Sequence, residues 1–155
     1  MTSSVESPQP RTARRTLFSG ALALLALPPC ALAQDAPEVE AARRAILGGA
    51  TPEPGGIRLL APAMAEHGGQ VPITIQIDSP QTPALYVQSV HVLATRNPTP
   101  GVVEFRLTPY IARAELQTRI RLAEGQRVLV LARMSDGRFR EAAAEIAVGT
   151  GGCLT

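Results

Sequence analysis

The sequence predicts an all-β protein: an immunoglobulin-like antiparallel β-sandwich with a short N-terminal helix and a flexible C-terminal arm. Two observations support this prediction. From about residue 57 onward, apolar and polar residues alternate with a period of two, as in strands that have one buried and one wet face. Turns that contain glycine or proline divide this part of the chain into about seven short segments, and no helical period lies among them.

The first 33 residues have the organisation of a removable export signal. Arg14-Arg15 precede an apolar stretch from Leu17 to Leu27, and the segment ends in small residues at Ala33. This stretch is too short to span a bilayer comfortably, so we expect cleavage before Gln34 and no stable membrane anchor. The arginine pair resembles a twin-arginine signal, which predicts export of a folded protein to a bacterial periplasm.

Residues 34–56 are predicted to form an N-terminal helix and a connector. Asp35, followed by Pro37 and Glu38, has the form of a helix start, and Gly48-Gly49 ends the helical pattern. The connector (50–56) is rich in turn-forming residues, so it is expected to be irregular. Four apolar residues share one face of the predicted helix: Val39, Ala42, Ile46 and Leu47.

Residues 57–148 are predicted to form the sandwich domain. Its clearest strand lies between residues 114 and 122, where apolar positions alternate without a break with Glu115, Gln117, Arg119 and Arg121. Asp136-Gly137 is a favoured centre for the last hairpin. The predicted strands cover seven stretches: 57–61, 73–77, 86–94, 103–107, 114–122, 126–133 and 139–148.

Charge and aromatic content argue against nucleic-acid binding. All 15 basic residues are arginine, against 13 acidic residues, and the two are equal in number once the first 33 residues are removed. Nucleic-acid binding needs a positive surface and usually stacking rings. Beyond the leader the chain has no Trp and only four aromatic residues: Tyr86, Phe105, Tyr110 and Phe139.

No residue pattern predicts an independent enzyme, a metal site or a cofactor. His67 lies in a glycine-flanked loop and His91 in the middle of a strand, so their spacing does not resemble that of metal ligands. No nucleophile elbow, phosphate loop or zinc-protease motif is present. His91 is expected to be a structural side chain on a sheet face.

The cysteine pattern directs attention to residues 149–155 (GTGGCLT). Cys30 lies in the leader, which leaves Cys153 without an intramolecular partner in an exported chain. On a glycine-rich segment the Cys153 sulfur could lie up to about 13 Å from the end of the last strand. The thiolate is the reactive form, so Cys153 is suited to being a thiol on which other enzymes act. Two alternatives remain open: Cys153 is an incidental cysteine, or it forms a disulfide with a second subunit. The arm glycines are Gly149, Gly151 and Gly152.

Most of the chain resembles the SoxY family, the carrier subunits of the bacterial thiosulfate-oxidising Sox system. The GGC segment on a glycine arm, after a twin-arginine leader and an all-strand domain, is the first part of this resemblance. Six further motifs extend it along most of the chain: IRLLAP (57–62), AEHGG (65–69), VHVLA (90–94), NPTP (97–100), FRLTP (105–109) and TRIRLAE (118–124).

The resemblance implies a periplasmic carrier that catalyses no step and holds sulfur intermediates as adducts on Cys153. A haem-containing enzyme would attach thiosulfate, a hydrolase would release sulfate, and a third enzyme would oxidise the remaining sulfane sulfur. A second sandwich subunit, SoxZ, would form a heterodimer with this chain.

One departure from the family pattern lies at the tip of the arm. The family arm typically ends GGCGG, whereas Leu154 and Thr155 follow Cys153 here. Leu154 adds bulk and stiffness beside the sulfur, which would restrict entry into a narrow active site. The alternative hypothesis is therefore a non-cycling structural or interaction module of an exported redox complex, with Cys153 in an intersubunit disulfide.

Overall fold

The structure, a computed structural model, describes residues 35–149. The predicted leader and the arm beyond Gly149 lie outside these residues. The described part contains one helix and nine strands: α1 (Pro37–Leu47), β1 (Glu53–Pro54), β2 (Ile57–Leu60), β3 (Met64–Ala65), β4 (Val71–Ile77), β5 (Val87–Ala94), β6 (Gly101–Arg106), β7 (Ala114–Ile120), β8 (Gln126–Met134) and β9 (Phe139–Val148).

The strands form two sheets that pack face to face as an immunoglobulin-like sandwich, as predicted. The smaller sheet has the order β2-β4-β7, and the larger has the order β1-β9-β8-β5-β6, with β3 also paired to β9. All of the longer strands pair antiparallel. The short strands β1 and β3 instead run parallel to β9, which the purely antiparallel prediction missed.

The main core lies between the two sheets. In β4 every second residue is buried, beginning at Val71 and ending at Ile77, and in β7 the alternation from Ala114 to Ile120 follows the prediction. A bulge at Gln88 shifts the register of β5, so that Val87 and Val90 both enter the core. These periods place one apolar face of each sheet against the other.

Helix α1 covers the outer face of the larger sheet. Its apolar face is the one predicted from the sequence, with Val39 and Leu47 buried and Ala42 and Ile46 partly buried. Because the core covers one face of β8 and α1 covers the other, seven of the nine residues of this strand are buried. The helix packs against four side chains of the sheet: Leu93, Leu129, Leu131 and Phe139.

The start of α1 differs from the predicted capping arrangement. Ala36 is the N-cap residue and makes no side-chain capping bond. The carboxylate of Asp35 instead accepts a hydrogen bond from Nη1 of Arg127, at 3.1 Å. The C-terminus agrees with the prediction, because Gly48 adopts a left-handed conformation with φ of 59° and ends the helix. Within residues 35–149, no helix is long and apolar enough to span a membrane.

The connector at residues 50–56 is more ordered than expected. It contains β1, in which Glu53 pairs with Arg140 and Pro54 pairs with Glu141. Two-residue strands have no period that a sequence pattern could reveal, so their pairing is decided by the tertiary fold.

Candidate functional site

The described structure reaches the base of the predicted cysteine arm, which we call the arm root (147–149). The Ala147 N–H donates to the carbonyl oxygen of Ala63 at 2.9 Å, and the Gly149 N–H donates to that of Ala65 at 2.8 Å. A Cβ atom at Gly149 would lie 3.0 Å from the carbonyl oxygen of Glu66. Glycine at this position therefore allows a close backbone approach, and the chain is held through Gly149.

The loop that follows β7 also lies beside the arm root. The Leu122 N–H donates to the carbonyl oxygen of Gly68 at 2.8 Å, and any side chain at Gly68 would overlap the carbonyl oxygen of Leu122. Gly125 also lies close, because a Cβ atom there would be 3.3 Å from the backbone nitrogen of Val148. The two loops and the end of β9 thus meet at one end of the sandwich.

Asn97 joins a third loop to this end of the molecule. Its Nδ2 donates to the carbonyl oxygen of Arg121 at 2.8 Å, and its Oδ1 accepts from the Ala123 N–H and from Nε2 of Gln126, both at 2.9 Å. Gln126 is buried and accepts from the Arg96 N–H through Oε1 at 2.6 Å. These bonds satisfy a buried polar side chain and fix the loops around the arm root.

The sequence did not predict this network. It indicated Asn97-Pro98 only as part of a family-like motif and Gln126 only as the first residue of a strand. A signal was present, since a glutamine at an inward strand position needs polar partners when it is buried. Gln126 has one local partner, the Glu124 carbonyl oxygen at 3.1 Å, but its partners Arg96 and Asn97 are about 30 residues away in sequence, so no local pattern identifies them.

The predicted attachment residue Cys153, together with Gly151 and Gly152, lies outside the described residues. Of the arm glycines, only Gly149 is described, and it is the fixed base of the arm. His67, in the loop that holds the arm root, is exposed. Within residues 35–149, no group of three or more His, Cys, Asp or Glu residues is arranged to hold a metal ion.

His91 lies on the outer face of the larger sheet. Its Nε2 is 3.1 Å from Oγ of Ser89, and its Nδ1 is 3.9 Å from Oε2 of Glu104. Burial lowers the pKa of His91, an effect that the Glu104 carboxylate opposes and the nearby Arg106 guanidinium reinforces. His91 is thus favoured in its neutral form within the fold.

The comparison with known families identifies the chain. A family model described as "Sulfur oxidation protein SoxY" matches residues 43–153. The chain belongs to the SoxY family. The matched range covers the C-terminal part of α1, the sandwich and the predicted arm up to Cys153. The comparison with curated proteins gives no significant match.

Solved structures show that this SoxY-family chain shares its fold with proteins of two kinds. The sulfur carrier protein SoxY from Chlorobium limicola f thiosulfatophilum is 24% identical, with a TM-score of 0.60 over 72% of this chain and 96% of that one. A superoxide reductase (neelaredoxin) from Ignicoccus hospitalis is 13% identical, with a TM-score of 0.54 over 61% and 80%. A putative superoxide reductase from Thermotoga maritima is 12% identical, with a TM-score of 0.55 over 63% and 93%. At these identities the likeness concerns the fold alone.

Proposed function

We propose that this chain is a periplasmic covalent carrier of sulfur intermediates in thiosulfate oxidation, with the adducts formed on Cys153. The observation that carries the proposal is the extent of the family match, which runs from residue 43 to Cys153 itself. The cysteine therefore belongs to the matched sequence. The C. limicola protein of the same fold is named a sulfur carrier protein, which supports the same role.

The carrier role requires three kinds of reaction on the Cys153 sulfur, each performed by a partner. A haem-containing enzyme would join the thiolate to the sulfane sulfur of thiosulfate in a new S–S bond and accept the two electrons released. A hydrolase would then add water at the sulfonate sulfur, breaking its bond to the sulfane sulfur. Sulfate and two protons leave, and a persulfide anion remains on Cys153. A third enzyme would oxidise that sulfane sulfur to a sulfonate with oxygen from three water molecules, accepting six electrons and releasing six protons. A second hydrolysis by the hydrolase would then release sulfate and two protons and return the Cys153 thiolate.

The described residues contribute a fixed base for the arm. Because the Gly149 N–H is bonded to Ala65, the reach of the thiol is counted from Gly149. Four residue steps separate Gly149 from Cys153, and an extended chain covers about 13 Å over that length. The Cys153 sulfur could therefore enter a partner's active site to a depth of about 13 Å while the sandwich stays folded.

A second subunit of the SoxZ type is the proposed stable partner, in a heterodimer. The predicted twin-arginine leader suits such a pair, since a subunit without its own signal could cross the membrane attached to a folded one. In this proposal the chain needs no cofactor of its own, because the partner enzymes supply the redox and hydrolytic groups.

Mass spectrometry tests the proposal directly. The protein is isolated from thiosulfate-grown cells, and the intact mass and the peptide containing Cys153 are measured without and with reductant. We expect reductant-labile additions of sulfur or thiosulfonate confined to Cys153. If only free thiol or a disulfide between proteins is found, the non-cycling structural module becomes the better hypothesis.

A matched pair of cysteine variants separates the arm from the leader. Cys153→Ser should abolish thiosulfate-dependent sulfate formation while leaving folding and subunit pairing intact. Cys30→Ser is the control and should leave sulfate formation unchanged. Normal turnover in the Cys153→Ser strain would contradict the proposal.

A further inference from the structure

A cavity of about 570 Å³ lies on the outer face of the larger sheet, beside helix α1. Three of its lining residues form one row across the sheet, because Ser89 of β5 pairs with Arg106 of β6 on one side and with Arg133 of β8 on the other. Neighbouring strands are about 4.8 Å apart, so the Cα atoms of the two arginines are about 10 Å apart. We call these three residues the oxyanion row. All three residues line the cavity, with the short serine between the two arginines in the row.

The charges around this space favour an anion. Nε of Arg106 donates to Oε1 of Glu104 at 2.9 Å, which neutralises that carboxylate and leaves the terminal Arg106 N–H groups for a ligand. Within residues 35–149, Arg133 forms no ion pair; its guanidinium lies 5.9 Å from the centre of the Phe139 ring. The cavity therefore has one surplus positive charge when His91 is neutral and two when His91 is protonated.

Hydrogen-bond donors of the right kind also meet here. Ser89 is buried, and its Oγ lies 3.1 Å from Nε2 of His91. When the Nε2 proton is donated to that oxygen, the serine hydroxyl hydrogen is free to point into the cavity. Guanidinium groups and hydroxyls are the donors that tetrahedral oxyanions prefer. Gln88 also lines this space.

The position of the cavity separates it from the cysteine arm. Arg133 pairs with Phe139, the first residue of β9, whereas the arm follows Val148, the last residue of that strand. Nine residue steps of strand cover about 30 Å. A fully extended chain from Gly149 to Thr155 covers about 20 Å, so Cys153 of the same molecule cannot reach the oxyanion row.

We propose that this cavity binds a small tetrahedral oxyanion of the sulfate type taken up from solution. The anion lies above Ser89, between the guanidinium groups of Arg106 and Arg133, and accepts hydrogen bonds from all three side chains. The site is independent of Cys153 and of the carrier role, and it is retained in a Cys153→Ser protein.

A titration of the purified full chain with sodium sulfate tests the site, with the ionic strength held constant by sodium chloride. We expect saturable shifts of the backbone amide resonances of Ser89, Arg106 and Arg133. Arg133→Gln should weaken sulfate binding at least tenfold, and Arg106→Gln, at the other end of the row, should have an effect of similar size. The control is Arg119→Gln, an exposed arginine of β7 in the other sheet, which should change the dissociation constant less than twofold.

Two further measurements make the outcome decisive. Circular dichroism spectra of the three variants should match that of the parent protein, so that a loss of binding reports the site and not the fold. Bound sulfate should raise the pKa of His91, seen at its ring C2–H resonance, because the dianion stabilises the imidazolium. Shifts that do not saturate, or equal binding by Arg133→Gln and the parent protein, would overturn the proposal.

Discussion

The guanidinium of Arg43 in helix α1 binds one carboxylate oxygen of Glu141 in β9, with Nη2 at 2.5 Å and Nε at 3.2 Å from Oε2. The hydrogen bond to Glu141 raises the pKa of Arg43, and burial of the guanidinium opposes this shift. A second ion pair, between Arg127 and Asp35, holds the chain just before the N-cap residue Ala36. The helix is therefore attached to the sheet by ion pairs at its edge as well as by its apolar face.

Arg43→Ala should lower the free energy of unfolding by about 1 kcal/mol, since the Arg43–Glu141 pair is partly shielded from water. Arg44→Ala is the matched control, because within residues 35–149 the Arg44 side chain bonds only to the Glu40 carbonyl in the same helix. Both changes alter helix propensity equally, so the difference between them measures the ion pair. Equal stabilities in urea unfolding would show that the pair contributes nothing.

Gly68→Ala should destabilise the fold by roughly 2 kcal/mol, because the new methyl group meets the backbone of Leu122, which cannot rotate away. Gly101→Ala is the control, since no atom lies within 4 Å of a Cβ atom there. The comparison is made by chemical denaturation. If Gly68→Ala were as stable as Gly101→Ala, the backbone of the loop beside the arm root would have to shift at little cost in free energy.

Asn97→Ala should cost about 2 kcal/mol, because it removes three hydrogen bonds and leaves the buried Gln126 amide without that acceptor. Gln117→Ala is the control, because in the described part of the chain this exposed side chain bonds only to Glu115, and it should change stability by less than about 0.5 kcal/mol. Hydrogen exchange at the Ala123 amide gives a local readout. Unchanged protection of that amide in Asn97→Ala would show that the Asn97 hydrogen bonds do not hold this loop.

Protonation of His91 should destabilise the fold. The pKa of His91 is lowered in the folded state, so the unfolded chain binds the proton more tightly. The free energy of unfolding should therefore fall as the pH drops from about 6.5, the unfolded pKa, and this contribution should level off below the folded pKa. The charged groups lining its cavity are Glu104, Arg106 and Arg133, while α1 contributes only Ala45 and Ile46.

His91→Gln tests this assignment. Urea unfolding of the variant should show a smaller loss of stability across that pH window than the parent protein. If both proteins lose the same stability, another group is responsible for the pH dependence.

Replacement of Leu154 and Thr155 by glycine tests whether the tip of the arm limits the carrier. In a reconstituted thiosulfate-oxidising system we expect the double variant to form sulfate several-fold faster, because a glycine tip has less bulk and stiffness beside the sulfur. Leu154→Ala removes the bulk while keeping a side chain at that position, so it divides the effect between size and stiffness. An unchanged rate would show that the natural tip already enters the partner enzymes freely.

Helices and strands in which apolar residues recur at regular spacing were predictable from the sequence. Contacts between residues distant in sequence were not. The alternation in β7 and the apolar face of α1 decide which side chains are buried, and both predictions are confirmed. Asp35 was expected to support the helix start, but its partner Arg127 is 92 residues away. A local capping pattern cannot show that a distant arginine binds the Asp35 carboxylate in place of the helix N–H groups.

For the candidate site, too, the residue types were predictable from the sequence and the contacts made through strand pairing were not. A cysteine among glycines indicates a reactive handle from residue types alone, but the fixed base at Gly149 depends on the short strand β3, which has no sequence signature. The oxyanion row likewise depends on register: Ser89, Arg106 and Arg133 are adjacent only because three strands align them.

The hydrogen bond between Gly149 and Ala65 also sets a local concentration. A thiol held by four residues stays within a small volume around its anchor, which corresponds to a concentration on the order of millimolar or higher. In the proposed carrier role, a partner enzyme that has bound the sandwich would meet the Cys153 thiol at that concentration, however dilute the protein is in solution. The affinity needed for the encounter can lie in the sandwich surface, and the thiol itself needs to bind only weakly.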